Sequence, residues 1–152
     1  MILPPHYIAI PKSGSGPGVL VLHSWWGLNP FFKSLCDRFS DTGFVALAPD
    51  LYDGKVASTV EAAKALRTQA TATRREPAYK MLTAAISYLS RQEAVTTTHI
   101  AIVGFSMGGP LGALVGPKAR TSHCGHGDLL CRAKRRLHTK QFALSFPLCR
   151  KR

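Results

Sequence analysis

Residues 99–109 read His-Ile-Ala-Ile-Val-Gly-Phe-Ser-Met-Gly-Gly, and no other stretch limits the fold as tightly. A short β-branched apolar run enters a Gly-x-Ser-x-Gly sequence, and a small-residue, helix-compatible segment leaves it. These residue types suit a sharp strand-to-helix turn that projects the Ser106 hydroxyl out of the backbone, the nucleophile-elbow pattern. Gly104 and Gly108, two residues to either side, are expected where a Cβ would collide with the neighbouring strand and helix. A helix beginning just after Ser106 aims free N–H groups and the positive end of its dipole at the hydroxyl. The competing reading is an ordinary glycine-rich loop; the Ile/Ala/Val run directly before the motif favours the elbow.

The rest of the chain supplies the layers such a turn needs. Tyr7 to Ile10 reads as a short strand, and Gly18 to His23 as an apolar run buried on both faces of a parallel sheet. A loop, Ser24 to Pro30, leads into a helix from about Pro30 to Asp41, with Phe31, Leu35 and Phe39 as its apolar stripe and Gly43 as its C-cap. Phe44 to Ala48 is a second buried strand, closed by Pro49-Asp50. Ser58-Thr59-Val60-Glu61 is a capping-box pattern opening a helix to about Ala72. A further helix, about Pro77 to Arg91, turns Met81, Ala85, Tyr88 and Leu89 inward. Strand, helix, strand, helices, strand, helix is the order of an α/β fold with a mostly parallel sheet and flanking helices. Function in such sheets sits at the carboxyl ends of the strands, where Ser24–Asn29, Pro49–Asp53 and Gly104–Gly108 all fall.

Charge divides the chain. The net charge is +12, but residues 118–152 carry ten Lys/Arg against one acid, Asp128, a net of +9. Residues 1–117 hold ten basic and seven acidic residues. The expected division is therefore 1–117, the folded domain, and 118–152, a basic Cys/His-containing tail that is irregular or poorly packed. The uncharged run Ile100 to Pro117 nominally reaches membrane-span length, yet Gly104, Gly108, Gly109 and Pro110 interrupt it, and the elbow explains it better. With no signal-peptide pattern before Lys12, a cytoplasmic protein without a membrane partner is expected.

Taken with the elbow, the loop His23-Ser24-Trp25-Trp26-Gly27-Leu28-Asn29-Pro30 resembles the dienelactone hydrolase family of the α/β-hydrolase fold. Asp37-Arg38-Phe39 with Thr42-Gly43-Phe44, and the run Ala46 to Tyr52, extend the resemblance over roughly residues 6–117. It implies a partial α/β-hydrolase fold whose later strands are missing, and a hydrolase of carboxylic esters or lactones acting through a nucleophile, a histidine and an aspartate. Ser106 matches the nucleophile. The backbone N–H groups of Trp25 and Met107 would form the oxyanion hole, where fixed donors favour charge developing on a carbonyl oxygen. Trp25 and Trp26 equally suit aromatic residues that merely cap the sheet. The family commonly has Cys at the nucleophile and Glu at the position of Ser24; both are serine here, a mutually consistent pair of changes. Arg74 and Arg75 lie near the region of the family's substrate-carboxylate arginines and read better as solvated helix-end charges.

A serine needs a general base oriented by a third group. In this fold the Asp and His follow later strands, in that order after the serine. Asp128 and His138 stand too close to the elbow for a parallel crossover of a dozen residues or more, and His23 reads as the close of its strand, so no base or acid is assigned. Cys124, His126, Cys131, His138 and Cys149 lack zinc-site spacing, and neither metal nor cofactor is expected. Arg132-Ala133-Lys134-Arg135-Arg136 offers the alternative, a non-catalytic truncated or interaction protein whose basic tail binds nucleic acid or an acidic partner. An altered C-terminus would leave Ile100 to Val103 as an unpaired edge, prone to self-association.

Overall fold

The computed structural model describes residues 3–72, 75–115 and 119–124. The strands are β1 (His6–Ala9), β2 (Gly18–Leu22), β3 (Val45–Pro49), β4 (Ile100–Phe105) and β5 (Ala119–Cys124). The helices are α1 (Pro30–Asp41), α2 (Val60–Ala72), α3 (Arg75–Ser90) and α4 (Gly108–Leu114). The sheet order is β1-β3-β2-β4-β5. β1 runs antiparallel to β3; every other neighbouring pair is parallel.

Alternation along the strands builds two cores. Leu20 and Leu22 of β2, Val45 and Leu47 of β3, and Ile100 and Ile102 of β4 pack with Leu82, Ala85 and Leu89 of α3 on one face. Val19 and Val21, with Ala46 and Ala48, pack with Phe32, Leu35, Cys36 and Phe39 of α1 on the other. β2 and β3 are buried at every position, which is why both read as unbroken apolar runs.

α1 spans the expected residues, but its buried face is Phe32, Leu35, Cys36 and Phe39. Phe31, expected in the stripe, is 58% exposed. Positions 32, 35, 36 and 39 form one helical stripe over the sheet, and position 31 lies about 100° away from 32. The end of α1 is a Schellman motif: Gly43 N–H donates to the Ser40 carbonyl and Phe44 N–H to the Phe39 carbonyl, at 2.9 and 3.0 Å. Gly43 takes φ +93°, and the rings of Phe39 and Phe44 close the motif at 6.1 Å. α2 is capped by Thr59 rather than by a Ser58–Glu61 box: the Ala62 N–H donates to Thr59 Oγ1 at 3.2 Å.

The segment set apart by composition contributes β5, which pairs with β4 from Ile100↔Ala119 to Phe105↔Cys124. Ile100 to Val103 is therefore not an edge: β2 flanks β4 on one side and β5 on the other. The edge expectation rested on the absence of an apolar run after residue 118, and β5 is a polar strand held by backbone pairing. Among the described residues no helix is long and apolar enough to cross a membrane.

Candidate active site

β4 enters the elbow and α4 leaves it, with Ser106 exposed between them. Ser106 takes φ +51°, the left-handed region that a residue with a side chain enters only under constraint. The constraint is close packing. A Cβ built on Gly104 would come within 2.5 Å of the Gly108 carbonyl, and one on Gly108 within 2.6 Å of the Leu22 carbonyl and 2.8 Å of the His23 carbonyl. Glycine at both positions lets α4 start against β4 and against the end of β2, and the chain between must turn sharply at Ser106. Gly109 N–H donates back to the Ser106 carbonyl at 3.1 Å.

The second wall is the β2–α1 loop. Trp25 and Trp26 are half-buried, and their rings meet edge to face at 5.5 Å. Ser24 Oγ accepts the Trp26 N–H at 3.4 Å. Among the described residues, neither the Trp25 amide nor the Met107 amide donates a hydrogen bond. Phe105, which precedes the serine, meets Phe32 at 5.4 Å and Phe31 at 6.4 Å.

His23 is wholly buried. Its Nδ1 lies 2.7 Å from the Ser24 carbonyl, and its Nε2 accepts the Leu51 N–H at 3.0 Å. These partners assign the proton to Nδ1 and leave neither nitrogen for Ser106. Burial lowers the His23 pKa below the usual 6.5, against the opposing effects of the Ser24 carbonyl and the Asp50 charge. The neutral ring is a clamp between two loops, not a base.

Two residues of the site carried no signal strong enough to single them out. Asp50 is buried at the end of β3, where its two oxygens accept the Tyr52 and Gly54 N–H groups at 2.9 and 2.8 Å. Tyr52 is buried, and its hydroxyl donates to Met107 Sδ at 3.2 Å. Asp after the last strand residue signals a local turn, but contact across 55 residues has no local pattern to betray it.

Ser106 Oγ has no hydrogen-bond partner among the described residues, and no group of three or more metal-ligating side chains occurs among them. Arg75 begins α3, and His123 and Cys124 end β5. Arg74, His126, Asp128, Cys131, His138, Cys149 and the 132–136 basic cluster lie outside the described residues.

Residues 5–124 match the dienelactone hydrolase family. Protein usf of Aquifex pyrophilus is 41% identical over 108 residues, 69% of this chain and 46% of that protein. The carboxymethylenebutenolidase of Pseudomonas putida is 27% identical over 123 residues, 73% of this chain and 49% of that one. Among solved structures, a dienelactone hydrolase-like promiscuous phosphotriesterase from metagenomic libraries superposes with a TM-score of 0.64 at 28% identity. That match covers 75% of this chain and 49% of that one, so the chain spans about half the length of the relatives it matches. A match of this extent, joined to the sheet order and the glycine-bracketed turn, establishes that the chain belongs to the dienelactone hydrolase family.

Proposed function

We propose that the site is that of a hydrolase of small carboxylic esters or lactones, with Ser106 as the nucleophile and the Trp25 and Met107 amides as the oxyanion hole. The observation that carries the reading is the turn itself: Ser106 is exposed at φ +51°, between two glycines packed against backbone. A strained, exposed serine at the carboxyl end of a parallel strand is costly to keep unless its position is used. The name carboxymethylenebutenolidase borne by a relative supports an ester or lactone substrate.

The chemistry would be acyl transfer. Ser106 Oγ attacks the carbonyl carbon, the carbonyl oxygen takes the charge between the two amides, and the alcohol leaves with a proton. No group is assigned to take the serine proton, and without one turnover is expected to be slow. Hydrolysis of p-nitrophenyl acetate, compared with Ser106→Ala, tests the reading. A rate above the Ser106→Ala background supports it, and equal rates remove it.

The second reading is a binding protein, supported by the net +9 of residues 118–152. A nucleic-acid gel shift that weakens with salt and disappears on deleting 125–152 would favour it, because phosphate contacts are lost as counterions compete.

A further inference from the structure

Tyr52 touches both halves of the site. Its hydroxyl donates to Met107 Sδ at 3.2 Å, on the elbow side. On the other side its ring meets His23 at 5.1 Å, and a Cβ built on Gly27 would lie 3.4 Å from Tyr52 Cδ2. His23 and Gly27 flank the Ser24–Trp26 segment that carries the Trp25 amide. Tyr52 is itself fixed, because its N–H donates to Asp50 Oδ1 at 2.9 Å and its carbonyl accepts the Lys55 N–H at 3.2 Å. The same loop holds the tryptophan segment directly, the Ala57 N–H donating to the Trp26 carbonyl at 3.0 Å.

A buried phenol needs a partner for its hydroxyl. Here the partner is a thioether, a weak acceptor, on the residue whose own amide is one of the two proposed oxyanion donors. Burial pushes the phenol up to about 12, against the Arg67 guanidinium, so the hydroxyl remains a donor throughout the neutral range.

We infer that Tyr52 is a positioning residue, whose hydroxyl–thioether bond and ring contacts set the spacing between the Trp25 and Met107 amides. The inference rests on the hydrolase reading. It predicts that losing one oxygen atom, more than 50 residues before the serine in sequence, loosens an oxyanion hole built from backbone alone.

Phenylboronic acid tests it without needing turnover. Ser106 Oγ adds to boron, the serine proton passes to solvent, and the tetrahedral boronate anion occupies the place of the oxyanion. Affinities of the full 152-residue chain, followed by boron NMR at a temperature where every variant is folded, are compared with Ser106→Ala, Tyr52→Phe, Met107→Leu and the double variant. Tyr52→Phe and Met107→Leu are each expected to weaken Ser106-dependent binding about tenfold, as misplaced donors do, and the pair together no more than one alone. If Tyr52→Phe and Met107→Leu lower the melting temperature but bind as the parent does, Tyr52 is structural and the inference is overturned while the site reading stands. Additive losses overturn it too, since they separate the hydroxyl from the sulfur. A parent chain with no Ser106-dependent adduct overturns the site reading, and the inference with it.

Discussion

Ser106 pays for its position in backbone strain. A side chain in the left-handed region costs about 1–2 kcal/mol, which glycine avoids at the expense of some chain entropy. Ser106→Gly is therefore expected to raise stability by up to about 1 kcal/mol, or about 2–4 °C in melting temperature, while removing the reactive hydroxyl. Ser106→Ala keeps the strain and should melt with the parent; a Ser106→Gly variant that melts lower would contradict the strained turn. His23 makes a second prediction. Its native pKa is lowered by burial from 6.5, so between the native value and 6.5 the unfolded chain binds more protons than the folded one. Stability is full above that window, falls as the pH drops through it and levels off below the native pKa. Thermal melts across pH 7.5 to 5 should show this loss, and His23→Gln, though less stable at neutral pH, should show less of it. The serine and its glycines were readable because each obeys a local rule of shape. The role of His23 was not, because its two partners, the Ser24 carbonyl and the Leu51 amide, come from different loops.

At the level of elements, strands were the most legible. β2 and β3 are buried on both faces, so no polar alternation confused their apolar runs. α1 was legible in extent, from Pro30 at its start to Gly43 past its end, but not in rotation. Two adjacent phenylalanines, Phe31 and Phe32, each fit a helical stripe, and only the sheet beneath decides between them. Phe32 is 3% exposed and Phe31 58%. Phe32→Ala should then cost about 3–5 kcal/mol by cavity formation, and Phe31→Ala less than about 1 kcal/mol, in urea unfolding. Similar losses for the two would return the stripe to Phe31. β5 was not legible, because Ala-Arg-Thr-Ser-His-Cys has neither an apolar run nor a clean alternation. Its place comes from the backbone of β4, whose free side offers donors and acceptors to any extended chain.

The whole molecule turns on where the sheet stops and the charge begins. Composition drew that line near residue 118, whereas β4 pairs with residues 119–124 along its full length and the family match also runs to 124. The expected boundary is then no earlier than Cys124, and two shortened chains test whether it falls there. A chain ending at residue 117 lacks β5 and leaves β4 as an edge whose Ile100 and Ile102 belong to the core. Such an apolar edge is a template for pairing with another chain, and this variant is expected to elute as aggregates and to melt without a cooperative transition. A chain ending at residue 124 keeps the polar strand over that edge and loses eight of the 20 basic residues. It should elute as a discrete species and melt cooperatively in far-ultraviolet circular dichroism. If both chains aggregate alike, residues 125–152 contribute to the fold; if both behave alike as discrete, cooperative species, β5 adds nothing to it. Either result would undo the boundary at Cys124, and with it the view that the basic segment begins where the sheet ends.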